Sequence, residues 1–203
     1  RLFPGHVEFE AVCPGQISRV HLPIPGGFTI YNALAALSAG LCLGIDLNRL
    51  SAALRSAKGV KGRVEVVPTP TAYTVLIDYA HTPKALENIL LTARDFTAGR
   101  LICLFGCGGD RDRSKRPQMG AVVKDLADVA VVTSDNPRTE KPEAIIQDVL
   151  AGMDSPDGAR VHVEPDRPQA IRWALEQGKA GDVIVLAGKG HETTQEIQGV
   201  RYP

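Results

Sequence analysis

The sequence predicts an α/β fold with a doubly wound, mostly parallel sheet, and three features of its order predict it. From about residue 64 onward, apolar β runs alternate with helical segments. A proline stands near the start of each of those helices, and a polar loop follows each β run. The β runs lie near 73–78, 100–105, 128–133, 160–163 and 182–187. Helices are expected over about 83–96, 117–126, 142–152 and 167–177, with Pro83, Pro117, Pro142 and Pro168 marking their starts.

Ahead of this alternation the pattern differs. His6–Glu10 and Ile17–Val20 are short β-like runs between Gly/Pro turns, as strands closing an earlier domain would be. Over 29–43 an Ala/Leu-rich helix is expected, with Ile30, Leu34, Leu37 and Leu41 recurring at helical spacing. Asp46 is placed to cap a second helix running to about Ala57. The stretch from Lys58 to Arg63, with two glycines and three basic residues, reads as a linker, so the domain boundary is placed near 64 and the domains are 1–63 and 64–203.

Composition narrows the class of partner. The 203 residues are 44% hydrophobic and carry 23 basic against 23 acidic side chains, which argues against a polyanion-binding surface and so against nucleic acid. No apolar run approaches the ~18 residues a membrane span needs, and no signal peptide opens the chain. Cys13, Cys42, Cys103 and Cys107 show no C-x-x-C spacing, and the first three have apolar neighbours that suit buried thiols. A reducing, cytoplasmic setting is expected. A start without Met and an end at Tyr202-Pro203 suggest a piece of a longer chain.

In an open α/β sheet ligands bind beyond the carboxyl ends of the strands. The residues there are Asp78-Tyr79-Ala80-His81-Thr82-Pro83, the loop 106–113, Ser134-Asp135-Asn136-Pro137-Arg138, Glu164-Pro165-Asp166-Arg167 and Gly188-Lys189-Gly190-His191-Glu192. Five such loops gathered on one rim predict a site. The glycines of 106–109 suit an anion, and Arg111, Arg113, Lys115 and Arg116 add four cations, although a tight turn with solvated arginines fits as well. Neither a P-loop nor a G-x-G-x-x-G spacing occurs. Arg138 suits a carboxylate while Asp135, Asn136 and Glu192 suit an amine, a combination matched to a zwitterionic amino acid; a plain strand-to-helix turn is the alternative. His81 and His191 are not spaced as metal ligands, and no Ser-His-Asp or Cys-His pairing is apparent.

Six segments in order carry a family resemblance: Tyr31-Asn32-Ala33-Leu34-Ala35-Ala36, Gly62-Arg63, Asp78 to Pro83, Phe105 to Asp112, Asp135 to Arg138 and Ala187 to Glu192. Through them the chain resembles the Mur ligase family over nearly its whole length, and within it the members that add 2,6-diaminopimelate. The resemblance implies a Rossmann-like C-terminal Mur ligase domain, preceded by the end of a central ATPase domain. It implies ATP and Mg²⁺ as cofactors, held mainly by a part upstream of Arg1, so no metal ligand is expected in this chain and no catalytic residue is assigned. ATP would activate the carboxylate of a UDP-muramoyl dipeptide as an acyl phosphate. The amine of meso-2,6-diaminopimelate would then attack to form an amide.

Carried over residue by residue, the resemblance makes Asn32, Arg63, Asp78, Tyr79 and His81 contacts on the ATP side. It makes Arg111, Asp135, Asn136, Pro137, Arg138, Gly188 and Glu192 the diaminopimelate pocket. Arg138 would pair the distal carboxylate that lysine lacks. The loop Glu164 to Arg167 receives no role. A lysine-adding relative and a non-catalytic ligand-binding module are the competing readings, and this chain alone is expected to lack ligase activity.

Overall fold

The computed structural model describes residues 1–153 and 161–203. Arg160, the first residue of the β run expected at 160–163, lies outside them. Contacts divide the chain into two units, Arg1–Val60 and Lys61–Pro203.

In the first unit β1 (Val7–Cys13) and β2 (Gln16–Leu22) form an antiparallel hairpin in which Glu8 faces His21 and Val12 faces Ile17. Gly15, at φ 77, supplies the left-handed residue of the turn. Helix α1 (Gly27–Cys42) buries Thr29, Ala33, Leu37 and Gly40. Of the expected apolar stripe, Ile30, Leu37 and Leu41 pack into the cores, while Leu34 is 39% exposed. Small residues win the inner face because the helices approach closely there. A Cβ at Gly40 would fall 2.5 Å from Leu50 Cδ2. Helix α2 (Leu47–Leu54) starts as expected, with Asp46 Oδ1 accepting from the backbone N–H groups of Asn48 and Arg49.

The second unit is built on a six-stranded sheet of order β3-β4-β8-β5-β6-β7. Its strands are β3 (Glu65–Val67), β4 (Thr74–Asp78), β5 (Leu101–Phe105), β6 (Val129–Val132), β7 (Val161–Val163) and β8 (Val183–Ala187). Only β3 runs antiparallel; every other pairing is parallel. The two central strands β5 and β8 are almost wholly buried, which is why they read as unbroken apolar runs rather than alternating ones.

Alternate residues of those strands feed two cores. Leu101, Cys103 and Phe105 face the core that α3 (Pro83–Arg94), α4 (Lys115–Leu126) and α5 (Pro142–Leu150) cover with Leu86, Leu90, Met119, Val123, Ile146 and Val149. Ile102 and Leu104 face the second core, which α6 (Arg167–Gln177) covers with Ala170 and Ala174. Helices on both faces make the sheet doubly wound, as expected. Pro83, Pro142 and Pro168 lie in the first two positions of their helices. Helix α4 instead begins two residues before Pro117, at Lys115, because the third position also lacks an intrahelical acceptor for its N–H.

Two elements were not expected. The edge strand β3 pairs with β4, and a hairpin of β9 (Gln195–Ile197) and β10 (Val200–Tyr202) follows β8. The cysteines also differ from expectation: Cys42 is exposed and Cys13 half-buried, whereas Cys103 and Cys107 are buried.

Candidate functional site

The loops after β4, β5, β6 and β8 meet at one end of the sheet around a cleft of about 270 Å³. Tyr79, His81, Gly106, Gly108, Arg111, Asp135, Asn136, Arg138, Gly188 and Glu192 line it. Six of the seven residues expected for an amino-acid pocket are therefore together, and the seventh, Pro137, is buried behind them. Of the ATP-side set, Tyr79 and His81 reach the same cleft, and Arg63 lies with its guanidinium carbon 5.3 Å from the Tyr79 ring centroid. Asn32 is exposed on α1, in the first unit.

Asp78 points inward. Its Oδ2 accepts from the N–H of Val64 at 2.8 Å, and its backbone carbonyl accepts from Gly188 N at 3.1 Å. Val64 is a β-branched residue held at φ 45, so this carboxylate restrains a backbone shape that Val rarely adopts. Burial raises the pKa of Asp78, against hydrogen bonds from Val64 and Ala80 that pull it down. The stretch expected to be a free linker is docked at the same place. A Cβ on Gly62 would fall 2.2 Å from the backbone N of His191, so the chain there is packed against the loop after β8.

The glycine loop after β5 is chiefly a packing surface. Gly109 N donates to Asn136 O at 2.9 Å, and a Cβ on Gly109 would fall 1.9 Å from Pro137 O. Asp110 N donates to Glu140 Oε1 at 2.7 Å, and the Asp110 carboxylate accepts from both the N–H and the hydroxyl of Thr139. The Gly109 and Asp110 amides are thus satisfied within the fold. The four-cation cluster divides in the same way. Arg116, fully buried, is bidentate to Glu140 and also donates to Asp148; Arg113 pairs with Asp148; and Lys115 donates to the carbonyl of His81. Hydrogen bonds from Arg116, then from Asp110 N, pull the Glu140 carboxyl down to about 2. Arg111, exposed and bonded only to the carbonyl of Asp110 among the described residues, remains available to a ligand.

The loop after β6 is held from three sides. Arg138 sits at φ 52, in the left-handed region, and the β9 strand fixes it there: Arg138 N donates to Glu196 O at 3.1 Å, and Gln198 N donates to Arg138 O at 2.6 Å. Its Nη1 donates to Gly109 O at 2.7 Å, which aims the remainder of the guanidinium along the cleft wall. Gln195 Nε2 donates to Ser134 Oγ and to Asp135 O, and Glu196 N donates to Asn136 Oδ1. From beneath, the buried Arg167 donates to Ser134 O at 3.3 Å and to Ala187 O at 2.9 Å. It thereby ties together the ends of β6 and β8. The loop Glu164 to Arg167, to which no role was assigned, thus supplies a brace.

Beyond β8, Gly188 takes φ 106, and a Cβ there would fall 2.7 Å from Asp135 Oδ2, so only glycine lets the two loops close. Glu192 Oε2 accepts from Asn136 Nδ2 at 2.9 Å and from Lys189 Nζ at 3.0 Å. Burial works to raise the Glu192 pKa, and the hydrogen bonds from Asn136, Lys189 and Tyr79 outweigh it, leaving the group lowered. Tyr79 is shifted upward by burial and then by the Glu192 charge. Cys107, behind the cleft, has its thiol pushed up to about 11 by burial and is no nucleophile.

Lys189, Arg167, Gln195 and Glu196 were the residues missed. Lys189 and Arg167 stood inside the quoted loops, but nothing in spacing alone distinguished their roles. Among the described residues one group has metal-ligand composition, and none of its members lines the cleft: His6, Glu8 and His21, of the β1–β2 hairpin and the residue before it, in the first unit.

The same doubly wound domain is what the family comparison identifies. The model described as the Mur ligase, glutamate ligase domain matches residues 62–190, and this chain belongs to the Mur ligase family. It is 55% identical over 193 residues to the UDP-N-acetylmuramoyl-L-alanyl-D-glutamate--2,6-diaminopimelate ligase of Gloeobacter violaceus, covering 95% of this chain and 39% of that protein. The ligase of the same name from Clostridioides difficile is 47% identical, with 97% and 40% covered. A solved structure of a ligase of that name superposes with a TM-score of 0.77 at 42% identity, covering 99% of this chain and 41% of the other. The chain thus spans about two-fifths of the length of the relatives it matches. Among the described residues no helix is long and apolar enough to cross a membrane.

Proposed function

We propose that this chain is the C-terminal part of a cytoplasmic, ATP-dependent ligase that joins meso-2,6-diaminopimelate to UDP-N-acetylmuramoyl-L-alanyl-D-glutamate in peptidoglycan precursor synthesis. In this reading residues 1–63 close the central ATP-binding domain, and 64–203 form the domain that binds the incoming amino acid. One observation carries it: Arg111 and Arg138 line one cleft together with Asp135, Asn136 and Glu192, so cationic and anionic groups share a single rim. An amino acid with carboxylates and ammonium groups at both ends matches that polarity. The identity to relatives named for diaminopimelate supports the choice of substrate.

ATP and Mg²⁺ supply activation of the acceptor carboxylate. The residues present fit the margin of a nucleotide site: Arg63 and Tyr79 pair a cation with an aromatic face, and His81, its Nδ1 donating to Tyr79 O at 2.9 Å, leaves Nε2 toward the cleft rim. The Gly109 and Asp110 amides of the glycine loop are bonded within the fold and so are not free for a phosphate. This chain's contribution is to hold the nucleophile's charged groups in a fixed frame, the positioning share of catalysis.

The test is steady-state phosphate release by the full-length protein with the UDP-muramoyl dipeptide and either diaminopimelate or lysine. Diaminopimelate is expected to be preferred, and Arg138→Ala to raise its KM by roughly tenfold or more, ~1.4 kcal/mol. Equal use of lysine, or an unchanged KM in Arg138→Ala, would defeat the assignment.

A further inference from the structure

Lys189 occupies acceptors on two residues that line the cleft, Asn136 and Glu192. Its Nζ donates to Asn136 Oδ1 at 3.0 Å and to Glu192 Oε2 at 3.0 Å, and its side chain is 13% exposed. A lysine on a loop normally extends its ammonium into water. Here the chain turns back because both flanking residues are glycines with positive φ, Gly188 at 106 and Gly190 at 48. The acceptors it occupies are strongly oriented: Asn136 Oδ1 also accepts from Glu196 N, and Asn136 Nδ2 donates to Glu192. Without a cation, Glu192 Oε2 would keep Asn136 Nδ2 as a donor and Asn136 Oδ1 would keep Glu196 N, but each would lose its charged partner.

We propose that Lys189 is a resident placeholder for the substrate ammonium, which takes Asn136 Oδ1 and Glu192 by displacing Lys189 Nζ. The proposal rests on the reading of this cleft as the amino-acid pocket. It gives the site a means of selection as well as a way to stay satisfied when empty. A ligand without an amine cannot replace the two charge-assisted hydrogen bonds that would be broken, so it leaves Lys189 in place or leaves Glu192 unpaired. Two cations cannot share the acceptors without repulsion, so the exchange is competitive.

Competition has a sign that an ordinary binding role does not. The dissociation constant of meso-diaminopimelate is measured by calorimetry on the full-length ligase, as wild type, Lys189→Met and Lys189→Arg. Lys189→Met is expected to bind diaminopimelate about fivefold more tightly, ~1 kcal/mol, while Lys189→Arg, which retains a cation, shows no gain. Pimelate, the same dicarboxylate without amines, is expected to gain nothing from Lys189→Met. Weaker or unchanged diaminopimelate binding in Lys189→Met, or an equal gain for pimelate, overturns the proposal. Thermal melting confirms that the variants are folded, and Lys189→Gln reads the same sign if the Met variant is not. The two levels of reading separate cleanly. If wild type binds no diaminopimelate, or if Arg138→Ala leaves binding unchanged, the pocket itself is misassigned. If wild type binds, Arg138→Ala weakens it and Lys189→Met does too, only the placeholder is lost.

Discussion

Replacing Glu140 with Gln tests how the glycine loop and the loop after β6 are held together. Glu140 accepts both terminal nitrogens of the buried Arg116, at 2.9 and 2.7 Å, and the N–H of Asp110 at 2.7 Å. These donors hold its carboxyl at about 2 instead of 4.5. Each pKa unit between those values is worth ~1.36 kcal/mol, so the upper bound at neutral pH is about 3 kcal/mol. With 23% of the side chain exposed, solvent screens part of this, and about 1–2 kcal/mol is expected. A carboxyl lowered in the folded state stabilises the fold fully above its unfolded value of 4.5 and loses that contribution as pH falls through 2. Urea unfolding of wild type and Glu140→Gln, from neutral pH down to about 2, should show a gap in stability that closes across that acidic window. A gap that stays constant with pH would refute the electrostatic account and leave Glu140 as simple packing.

Other perturbations reach the same rim. Gly109→Ala forces a Cβ against Pro137 O and should cost roughly 1–3 kcal/mol in urea unfolding while raising the KM for the amino acid; a neutral result would mean that the two loops are not in register-critical contact. Arg167→Met leaves Ser134 O and Ala187 O without their donor and should destabilise by about 1–3 kcal/mol, to be read by thermal melting. The phenolate absorbance of Tyr79, isolated by subtracting Tyr79→Phe, should appear above pH 10 and move down in Glu192→Gln. An unmoved titration would show that the Glu192 charge does not act on the ring.

The sheet was legible because its interior strands lie between helices on both faces, so Leu101–Phe105 and Val183–Ala187 read as unbroken apolar runs. The loops after them were legible through Gly, Pro and Asn, whose backbone demands are local. Edge elements were not, since β3 and the β9–β10 hairpin are three-residue strands with too few positions to show alternation. The division of the basic cluster was illegible for another reason. Arg116 and Arg111 are five positions apart in the same charged run, and only the placement of Glu140 and Asp148, on a distant stretch of chain, makes one a buried brace and leaves the other free. The apolar stripe of α1 misled only at Leu34: Leu37 is buried and Ile30 and Leu41 are half-buried against the cores, while the small Ala33 and Gly40 share the inner face.

The proposed pocket is asymmetric in a way that bears on how a ligand enters it. Arg111 has no carboxylate partner among the described residues, and the nearest to Arg138 is Glu196, 3.9 Å from Nε. Glu192 and Asn136 are already engaged by Lys189. Under the proposed assignment, an incoming diaminopimelate would meet open charge first at its carboxylate ends, where pairing requires little displacement, and would compete only for the amine site. Carboxylate docking raises the effective concentration of the ammonium beside Lys189, so the exchange there becomes intramolecular. Lysine, which lacks the distal carboxylate, would forgo part of that anchoring and face the same competing cation. On this account Arg138 and Lys189 act jointly on specificity: the cost of removing Arg138 should be smaller in a Lys189→Met background than in wild type, and strict additivity in the double-mutant cycle would refute the coupling.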